Sequence, residues 1–222
     1  MKARYVVAVV LAVIGVSVAA YPSARNLAYD RQVAEQRSQF RAGDADSAYE
    51  DLYRFLVREN ERLHSEGQAG LVDAFSYQVP GVDLSSYGLT DNRIGFVEIP
   101  AIGANLPIYL GATRENMAVG AVHLTQTSYP IGGTNTNAVI AAHRGGTLEM
   151  FRNVHKIALG DQIVITNFRE RLLYEAREIR IISPDDINQV KIQDGRDLIT
   201  LVSCNPLGRN YERYVLYAER VG

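Results

Sequence analysis

The chain has 222 residues, of which 47% are hydrophobic and 22% are charged, so it is long enough and apolar enough to bury one substantial core. Its 23 Lys and Arg residues against 25 Asp and Glu residues give a formal net charge of -2, which argues against a nucleic-acid partner. Only one cysteine is present, Cys204, and this count excludes disulfide frameworks and Cys-rich metal sites.

The N-terminus combines basic residues with an apolar run. Lys2 and Arg4 precede residues 5–21, whose length is near the lower limit for a membrane-spanning helix. The pattern predicts a single N-terminal membrane anchor over residues 1–21, with the rest of the chain outside the cytoplasm. A cleaved signal peptide, with small residues at 17–19 as its cleavage site, is the alternative, and it leaves the folded part on the same side.

Residues 22–66 are predicted to form a helical segment docked on the main domain. Ser47 followed by Glu50 is a capping-box signature. The apolar residues that recur at helical spacing between charged ones are Tyr49, Leu52, Leu56 and Leu63. After this segment, residues 67–92 are rich in Gly, Ser, Pro and Asp, which predicts a long loop, and long loops in compact domains are usually functional or disordered.

Residues 93–222 have the pattern of a mainly β domain. Segments rich in Val, Ile, Leu and Tyr alternate with turn residues. Seven or eight strands with few helices favour a closed or nearly closed barrel. The predicted strands cover residues 94–99, 105–109, 138–143, 162–167, 171–182, 197–204 and 213–219, and short helical turns are predicted at 115–119 and 148–154.

Cys204 lies at the end of a strand that is apolar on both faces, and Arg213 begins the next strand after a short turn-rich loop. If the two strands are neighbours, both residues lie at the same edge of the sheet. A thiolate beside a fixed cation suits acyl transfer, because the thiolate attacks a carbonyl carbon and the cation stabilises the resulting oxyanion. The cation also lowers the pKa of the thiol below its usual value of about 8.5.

A cysteine nucleophile needs a proton donor and acceptor, and four histidines are available. His64 and His155 fall in predicted helical stretches, which favours surface or packing roles. His143 ends an apolar strand and precedes a glycine-rich bend, where it can face a cleft, while a structural role is the alternative. His123 is its competitor.

These residues occur in an ordered set of motifs that resembles the sortase signature. TLVSC at 200–204, Arg213 nine residues later and AHRG at 142–145 are similar to the TLxTC, Arg and TGHRG elements of that family. The flanking segments FVEIP, LPIY, HLTQTSYPIGG and NPLGRN resemble class C, pilin-polymerising sortases. Ser203 stands where Thr is usual and Ala142 where Gly is usual.

The resemblance implies an eight-stranded sortase-type β-barrel with short helices, preceded by N-terminal helices and a membrane anchor. It implies that Cys204 is the nucleophile, His143 the general acid and base, and Arg213 the oxyanion or substrate clamp. His123 then occupies a motif position without a catalytic role. No cofactor is expected. A calcium site at the acidic residues near the barrel is not expected either, because the spacing of Asp185, Asp186, Asp194 and Asp197 matches no calcium-binding loop.

Class C sortases carry a lid with an Asp-Pro-aromatic motif in the active-site groove, and residues 73–75 fall in the expected region. Asp73 is then expected to face Arg213, and Phe75 to cover Cys204, with Ala74 where Pro is usual. Residues 67–92 are called the lid segment below. Such a lid blocks the clamp and raises the pKa of the thiol by desolvation. The alternative is that Asp73 and Phe75 are ordinary loop residues.

The function implied is that of a cysteine transpeptidase that cleaves an LPxTG-like sorting signal through a thioacyl-enzyme and transfers it to an amine. The lid favours a pilin lysine as acceptor, and therefore pilus polymerisation. A housekeeping-type enzyme that anchors surface proteins to cell-wall peptide and a hydrolytic cysteine peptidase are the alternatives. A non-enzymatic assembly module is a third class, against which the combination of Cys204, His143 and Arg213 argues.

Overall fold

The computed structural model describes residues 2–40 and 47–222. Eight β-strands close into a barrel that accounts for most of the chain after residue 92. The strands are β1 (Arg93–Ile99), β2 (Ala104–Leu110), β3 (Ala121–His123), β4 (Thr136–Ala141), β5 (Gln162–Asn167), β6 (Arg171–Ile182), β7 (Asp197–Asn205) and β8 (Glu212–Arg220). The α-helices are α1 (Lys2–Gln39), α2 (Ser47–Glu66) and α3 (Arg114–Val119). Short 3-10 helices cover Leu84–Tyr87, Thr90–Asn92, Pro100–Ile102, Val154–Lys156 and Ile187–Val190.

The barrel has the strand order β1-β2-β3-β4-β7-β8-β6-β5. Two neighbouring pairs are parallel, β2 with β3 and β4 with β7, and the other pairs are antiparallel. Alternate residues of β4, β7 and β8 belong to two separate hydrophobic clusters, as expected for strands covered on both faces. The mainly β barrel predicted from the sequence is therefore confirmed.

The strand boundaries differ from the sequence prediction at a few places. β3 was not predicted, because three residues are too few to show a strand periodicity. β4 ends at Ala141, so His143 follows the strand rather than belonging to it. The helical turn predicted at 148–154 is wrong, since the chain makes bends and turns there and a 3-10 helix begins only at Val154.

Helix α1 extends well past the apolar run, as far as Gln39. Within the described residues it is the helix long and apolar enough to span a membrane, with a mean hydropathy of 2.2 in its most apolar window, and none of that window is buried. It is therefore a candidate anchor.

Helix α2 packs on the barrel through one apolar face, with Leu52 and Leu56 at 0% exposure and Leu63 at 3%. This agrees with the amphipathic pattern in the sequence. The part of the predicted helix at residues 41–46 and the side chain of Ser47 in the predicted capping box lie outside the described residues.

The lid segment lies against the barrel. Leu71 and Ala74 are buried in the second hydrophobic cluster, together with residues of α3, β4, β7 and β8. Farther along, the chain passes so close to Gly111 that a Cβ there would come within 2.6 Å of the Pro80 nitrogen. Gly111 also has a φ of +82°, which favours glycine. The lid segment is thus fixed on both sides of residues 73–75.

Candidate active site

Strand pairing places Cys204 and Arg213 directly opposite each other. β7 and β8 are antiparallel neighbours, and Cys204 pairs with Arg213 in their register. The loop between them contains Gly208 with a φ of +75°, a conformation that glycine adopts without strain. The sequence prediction that the two residues lie at one edge of the sheet agrees with this arrangement.

His143 reaches the same edge through a parallel pairing. β4 runs parallel to β7, with Ala141 opposite Val202, so two further residues along each chain bring His143 and Cys204 to the same level. Beyond the end of β4, the Ala142 N–H donates to the Val202 carbonyl at 3.2 Å, and the Ser203 hydroxyl donates to the Ala142 carbonyl at 2.8 Å. Ser203, which stands where Thr is usual, therefore binds the backbone of Ala142, the residue that precedes His143.

A cleft of about 600 Å³ opens at this edge. Its walls come from the lid segment, α3, the loop after β4 and the loop between β7 and β8. The lining residues are Phe75, Met117, His143, Arg144, Gly145, Gly146, Cys204, Gly208, Arg209 and Asn210.

Asp73 binds Arg213 with both carboxylate oxygens. Arg213 Nε donates to Asp73 Oδ1 and Arg213 Nη2 donates to Oδ2, each at 2.8 Å. The side chains are 7% and 21% exposed, so this fork-to-fork pair is largely shielded from water. Arg213 Nη1 donates instead to the carbonyls of Asn210 and Glu212. The guanidinium is therefore attached both to Asp73 and to its own loop.

Phe75 lies between the other two site residues. Its ring stacks on the His143 imidazole with a centroid distance of 5.9 Å, and the Arg213 guanidinium carbon lies 5.0 Å from its centroid. Phe75 and Cys204 line the same cleft. The ring therefore contacts the histidine and the arginine and lies in the same cleft as the cysteine that it is expected to cover.

Burial and charge set the protonation states in this closed arrangement. Burial raises the pKa of the Cys204 thiol, Arg213 and Arg144 oppose this rise, and Asp73 adds to it. Burial also lowers the pKa of His143, although its ring retains solvent exposure. Both shifts favour neutral groups, a thiol and an imidazole, over the thiolate and imidazolium pair.

A second arginine holds the loop that follows the cysteine. Arg144 is 7% exposed, and its Nη1 donates to Asn205 Oδ1 at 2.6 Å and to the Cys204 carbonyl at 3.4 Å. Asn205 Nδ2 in turn donates to Glu212 Oε2 at 2.7 Å. In the sequence, Arg144 is part of the AHRG motif, but no role was predicted for it. Its position directly after the candidate acid–base histidine was the one indication that it lies near the site.

The remaining histidines lie outside the cleft. His123 is 2% exposed and contacts the Ser128 carbonyl and the Thr127 hydroxyl, and burial lowers its pKa to about 4. His64 pairs with Asp194 on the surface, and His155 is exposed in a 3-10 helix. Of the four histidines, the structure brings His143 to Cys204.

The family model of the sortase domain matches residues 97–221, which is more than half of the chain. The chain belongs to the sortase family. Sortases are cysteine transpeptidases, and the matched region contains the Cys204 edge and the whole barrel except the first four residues of β1.

Individual relatives agree with this assignment. The sequence is 29% identical over 135 residues to Sortase D of Bacillus subtilis (strain 168), and the match covers 60% of this chain and 66% of that relative. The sortase thus spans about two thirds of the length of this curated relative.

Solved structures of class C sortases have the same fold. The lid mutant of Streptococcus agalactiae Sortase C1 has a TM-score of 0.70 and 29% identity, and the match covers 81% of this chain and 91% of that one. Streptococcus pneumoniae Sortase C has a TM-score of 0.64 and 31% identity, with 89% and 96% covered.

Proposed function

We propose that this sortase cleaves an LPxTG-like sorting signal and transfers it to a pilin lysine, with Cys204 as nucleophile, His143 as acid and base, and Arg213 as clamp. The observation that carries the proposal is the meeting of these three side chains at one barrel edge beneath Asp73 and Phe75. Solved structures described as pilus-related and pilin-specific sortases C support the choice of acceptor.

The first half of the reaction forms a thioacyl-enzyme. Proton transfer between the neutral pair gives the Cys204 thiolate and the His143 imidazolium. The sulfur attacks the carbonyl carbon of the scissile peptide bond, and the negative charge moves to the carbonyl oxygen. When the C–N bond breaks, His143 gives its proton to the leaving amine.

The second half consumes an amine. The neutral imidazole accepts a proton from the incoming lysine as its nitrogen attacks the thioester carbonyl. The C–S bond then breaks, and the sulfur leaves as the thiolate, beside the imidazolium. An isopeptide bond joins the two substrates, and no oxidant or reductant is needed.

Arg213 stabilises the oxyanion in both halves through Nε and Nη2, the donors that Asp73 occupies in the closed lid. Substrate and lid therefore compete for the same two donors. In this proposal Asp73 leaves before catalysis, and Nη1 keeps the guanidinium in place through its bonds to Asn210 and Glu212.

For localisation, we propose that residues 5–21 of α1 anchor the chain in the cell membrane with the barrel outside the cytoplasm. The basic residues ahead of the apolar run support this orientation. The substrates are then proteins that carry a sorting signal at the outer face of that membrane.

The test incubates the full chain in detergent with a sorting-signal peptide, a pilin of the same organism and a cell-wall peptide amine. With the unmodified chain, we expect a ladder of covalent products in which the pilin is joined to the sorting-signal peptide. They should vanish in Cys204→Ala and His143→Ala and persist in His155→Ala, the control at an exposed histidine outside the cleft. Transfer of the sorting-signal peptide to the cell-wall amine alone would contradict the polymerase and indicate an anchoring enzyme. Hydrolysis of the peptide without transfer would indicate a peptidase.

A further inference from the structure

After the apolar run, one face of α1 contacts the barrel. Asn26, Tyr29, Val33 and Arg37 follow one another at intervals of three or four residues, so they share a side of the helix. Val33 is 2% exposed, although the residues that precede and follow it are exposed. Arg37 binds Glu98 at 2.7 Å and Asn105 at 3.3 Å, which fixes the far end of this face to β1 and β2.

Asn26 makes a two-point contact with the loop that follows His143. Its Nδ2 donates to the Thr147 carbonyl at 3.3 Å, and its Oδ1 accepts from the Glu149 N–H at 3.2 Å. A side-chain amide both donates and accepts, so it can hold a carbonyl and an N–H of one loop together. Thr147 directly follows Gly145 and Gly146, which line the cleft, and Glu149 comes two residues later.

Tyr29 supports a second wall of the cleft, the one formed by α3. Its hydroxyl donates at 2.8 Å to the carbonyl of Val119, the last residue of α3. Met117 of the same short helix lines the cleft. Asn26 and Tyr29 lie one helical turn apart, so a single stretch of α1 contacts both walls.

The loop between His143 and the Asn26 contact is held at few other points: Arg144 binds the loop after the cysteine, the Phe151 N–H donates to the His143 carbonyl at 3.0 Å, and Arg152 Nη2 donates to the Gly146 carbonyl. The loop has no regular secondary structure, and Gly146 has a φ of +108°. Loops of this kind open at low free-energy cost unless their backbone groups are bound. The amide of Asn26 binds two of these groups.

We infer that Asn26 is a positioning residue for the proposed reaction: by clamping Thr147 and Glu149 it holds the loop that orients His143 toward Cys204, and it ties this loop to the helix that continues from the apolar run. Asn26 lies five residues after the apolar run, or about 7.5 Å along the helix axis. In the proposed membrane topology, the loop that Asn26 binds therefore lies at the membrane-proximal end of the barrel. This inference rests on the proposed function, because the positioning matters only if His143 moves protons.

The test compares four full-length variants in detergent: Asn26→Ala, Asn26→Asp, Tyr29→Phe and, as the matched control, Gln32→Ala on an exposed position of the same helix. Two readouts are used, the hydrogen exchange of the Glu149 amide and the kcat and KM of sorting-peptide cleavage. In Asn26→Ala, exchange should be about three- to tenfold faster and kcat lower by a similar factor, with KM nearly unchanged. Asn26→Asp keeps the acceptor for the Glu149 N–H, so its exchange should stay close to that of the unmodified chain.

Tyr29→Phe should leave Glu149 exchange unchanged, because Tyr29 contacts the other wall, and Gln32→Ala should change neither readout. Unchanged exchange in Asn26→Ala would overturn the clamp. Faster exchange with unchanged kcat would reduce Asn26 to a structural contact and overturn the positioning role. If the unmodified chain cleaves no peptide, the proposed function fails. The His143 imidazole NMR resonance, expected to broaden in Asn26→Ala and not in Gln32→Ala, then decides the inference alone.

Discussion

At the scale of single residues, the pair of Asp73 and Arg213 links the lid to the charge of the thiol. Asp73 adds a negative charge near Cys204 and raises its pKa, while Arg213 acts in the opposite direction. Burial alone would lower the pKa of Arg213, but the hydrogen bonds and charge of Asp73 raise it. The cation is therefore permanent, and removing Asp73 leaves Arg213 with two free donors next to Cys204.

We predict that Asp73→Ala raises the rate at which a small reagent alkylates Cys204 at neutral pH. The substitution removes a charge that disfavours the thiolate and loosens the cover that desolvates it. Lowering the pKa by one unit gives tenfold more thiolate below the pKa, and the weaker nucleophilicity leaves a net gain of about three- to fourfold. The rate is measured against pH, and its midpoint should move to lower pH.

The control for this prediction is Tyr77→Ala, which changes a 72% exposed side chain of the same lid segment. It should leave both the rate and the midpoint unchanged. An unchanged rate in Asp73→Ala would remove the lid interpretation and return Asp73 and Phe75 to ordinary loop residues.

A substitution at Arg144 is expected to have the opposite effect on the alkylation rate of Cys204. Its positive charge lowers the pKa of Cys204, so replacing it with the uncharged Arg144→Met should raise that pKa further and slow alkylation at neutral pH by about threefold per unit of pKa. Arg144→Lys keeps the charge and should keep most of the rate, although it loses the guanidinium geometry that binds Asn205 Oδ1 and the Cys204 carbonyl. Equal slowing in both variants would show that the loop contacts, and not the charge, determine the effect.

At the scale of elements, the sequence predicted one half of the site's geometry better than the other. Cys204 and Arg213 belong to consecutive strands joined by a short loop, and consecutive strands are usually neighbours. His143 reaches Cys204 through the parallel pairing of β4 with β7, about 60 residues apart in the chain. No local pattern records such a pairing, so the role of His143 came from the resemblance to sortases and not from its spacing.

The same reasoning explains what the sequence analysis missed. Asn26 lies far from the motif residues along the chain, and the bonds it makes go to backbone groups, which carry no sequence identity. The network of Arg144, Asn205 and Glu212 connects side chains of ordinary polar types. By contrast, strands β5 and β6 were predicted with the observed ends; clear turn residues mark the start of β5, at Gly160-Asp161, and the end of β6, at Ser183-Pro184.

Helix α2 is expected to be part of the stable fold. Leu56 is at 0% exposure within the first hydrophobic cluster, so Leu56→Ala should lower the free energy of unfolding by about 2–5 kcal/mol. Arg58→Ala, at an exposed position of the same helix, should change it by less than about 0.5 kcal/mol. Denaturant unfolding followed by circular dichroism measures both, and similar values for the two variants would mean that α2 is not docked on the barrel.

At the scale of the whole molecule, the near-neutral net charge is an average over unlike parts. A fully exposed apolar stretch of α1, an amphipathic α2 and a barrel covered on both faces combine into an ordinary overall composition. The exposed stretch is the unusual part, because its apolar side chains have no partner in the barrel. In the proposed topology, a bilayer around residues 5–21 would cover these side chains and would place the Asn26 contact just outside the membrane.

This arrangement predicts the side of the membrane on which the site lies, and the single cysteine makes the prediction easy to measure. In intact cells, a membrane-impermeant maleimide should label the chain, and every label should be on Cys204, because no other thiol exists. Cys204 is only partly exposed, so labelling should be faster in Asp73→Ala and absent in Cys204→Ala. Permeabilised cells give the total amount of chain that can be labelled. Labelling that appears only after permeabilisation would place the barrel in the cytoplasm. The mass of the labelled chain separates an anchor from a signal peptide: a membrane-bound product that retains residues 1–21 indicates the anchor, and a soluble product that lacks them indicates cleavage.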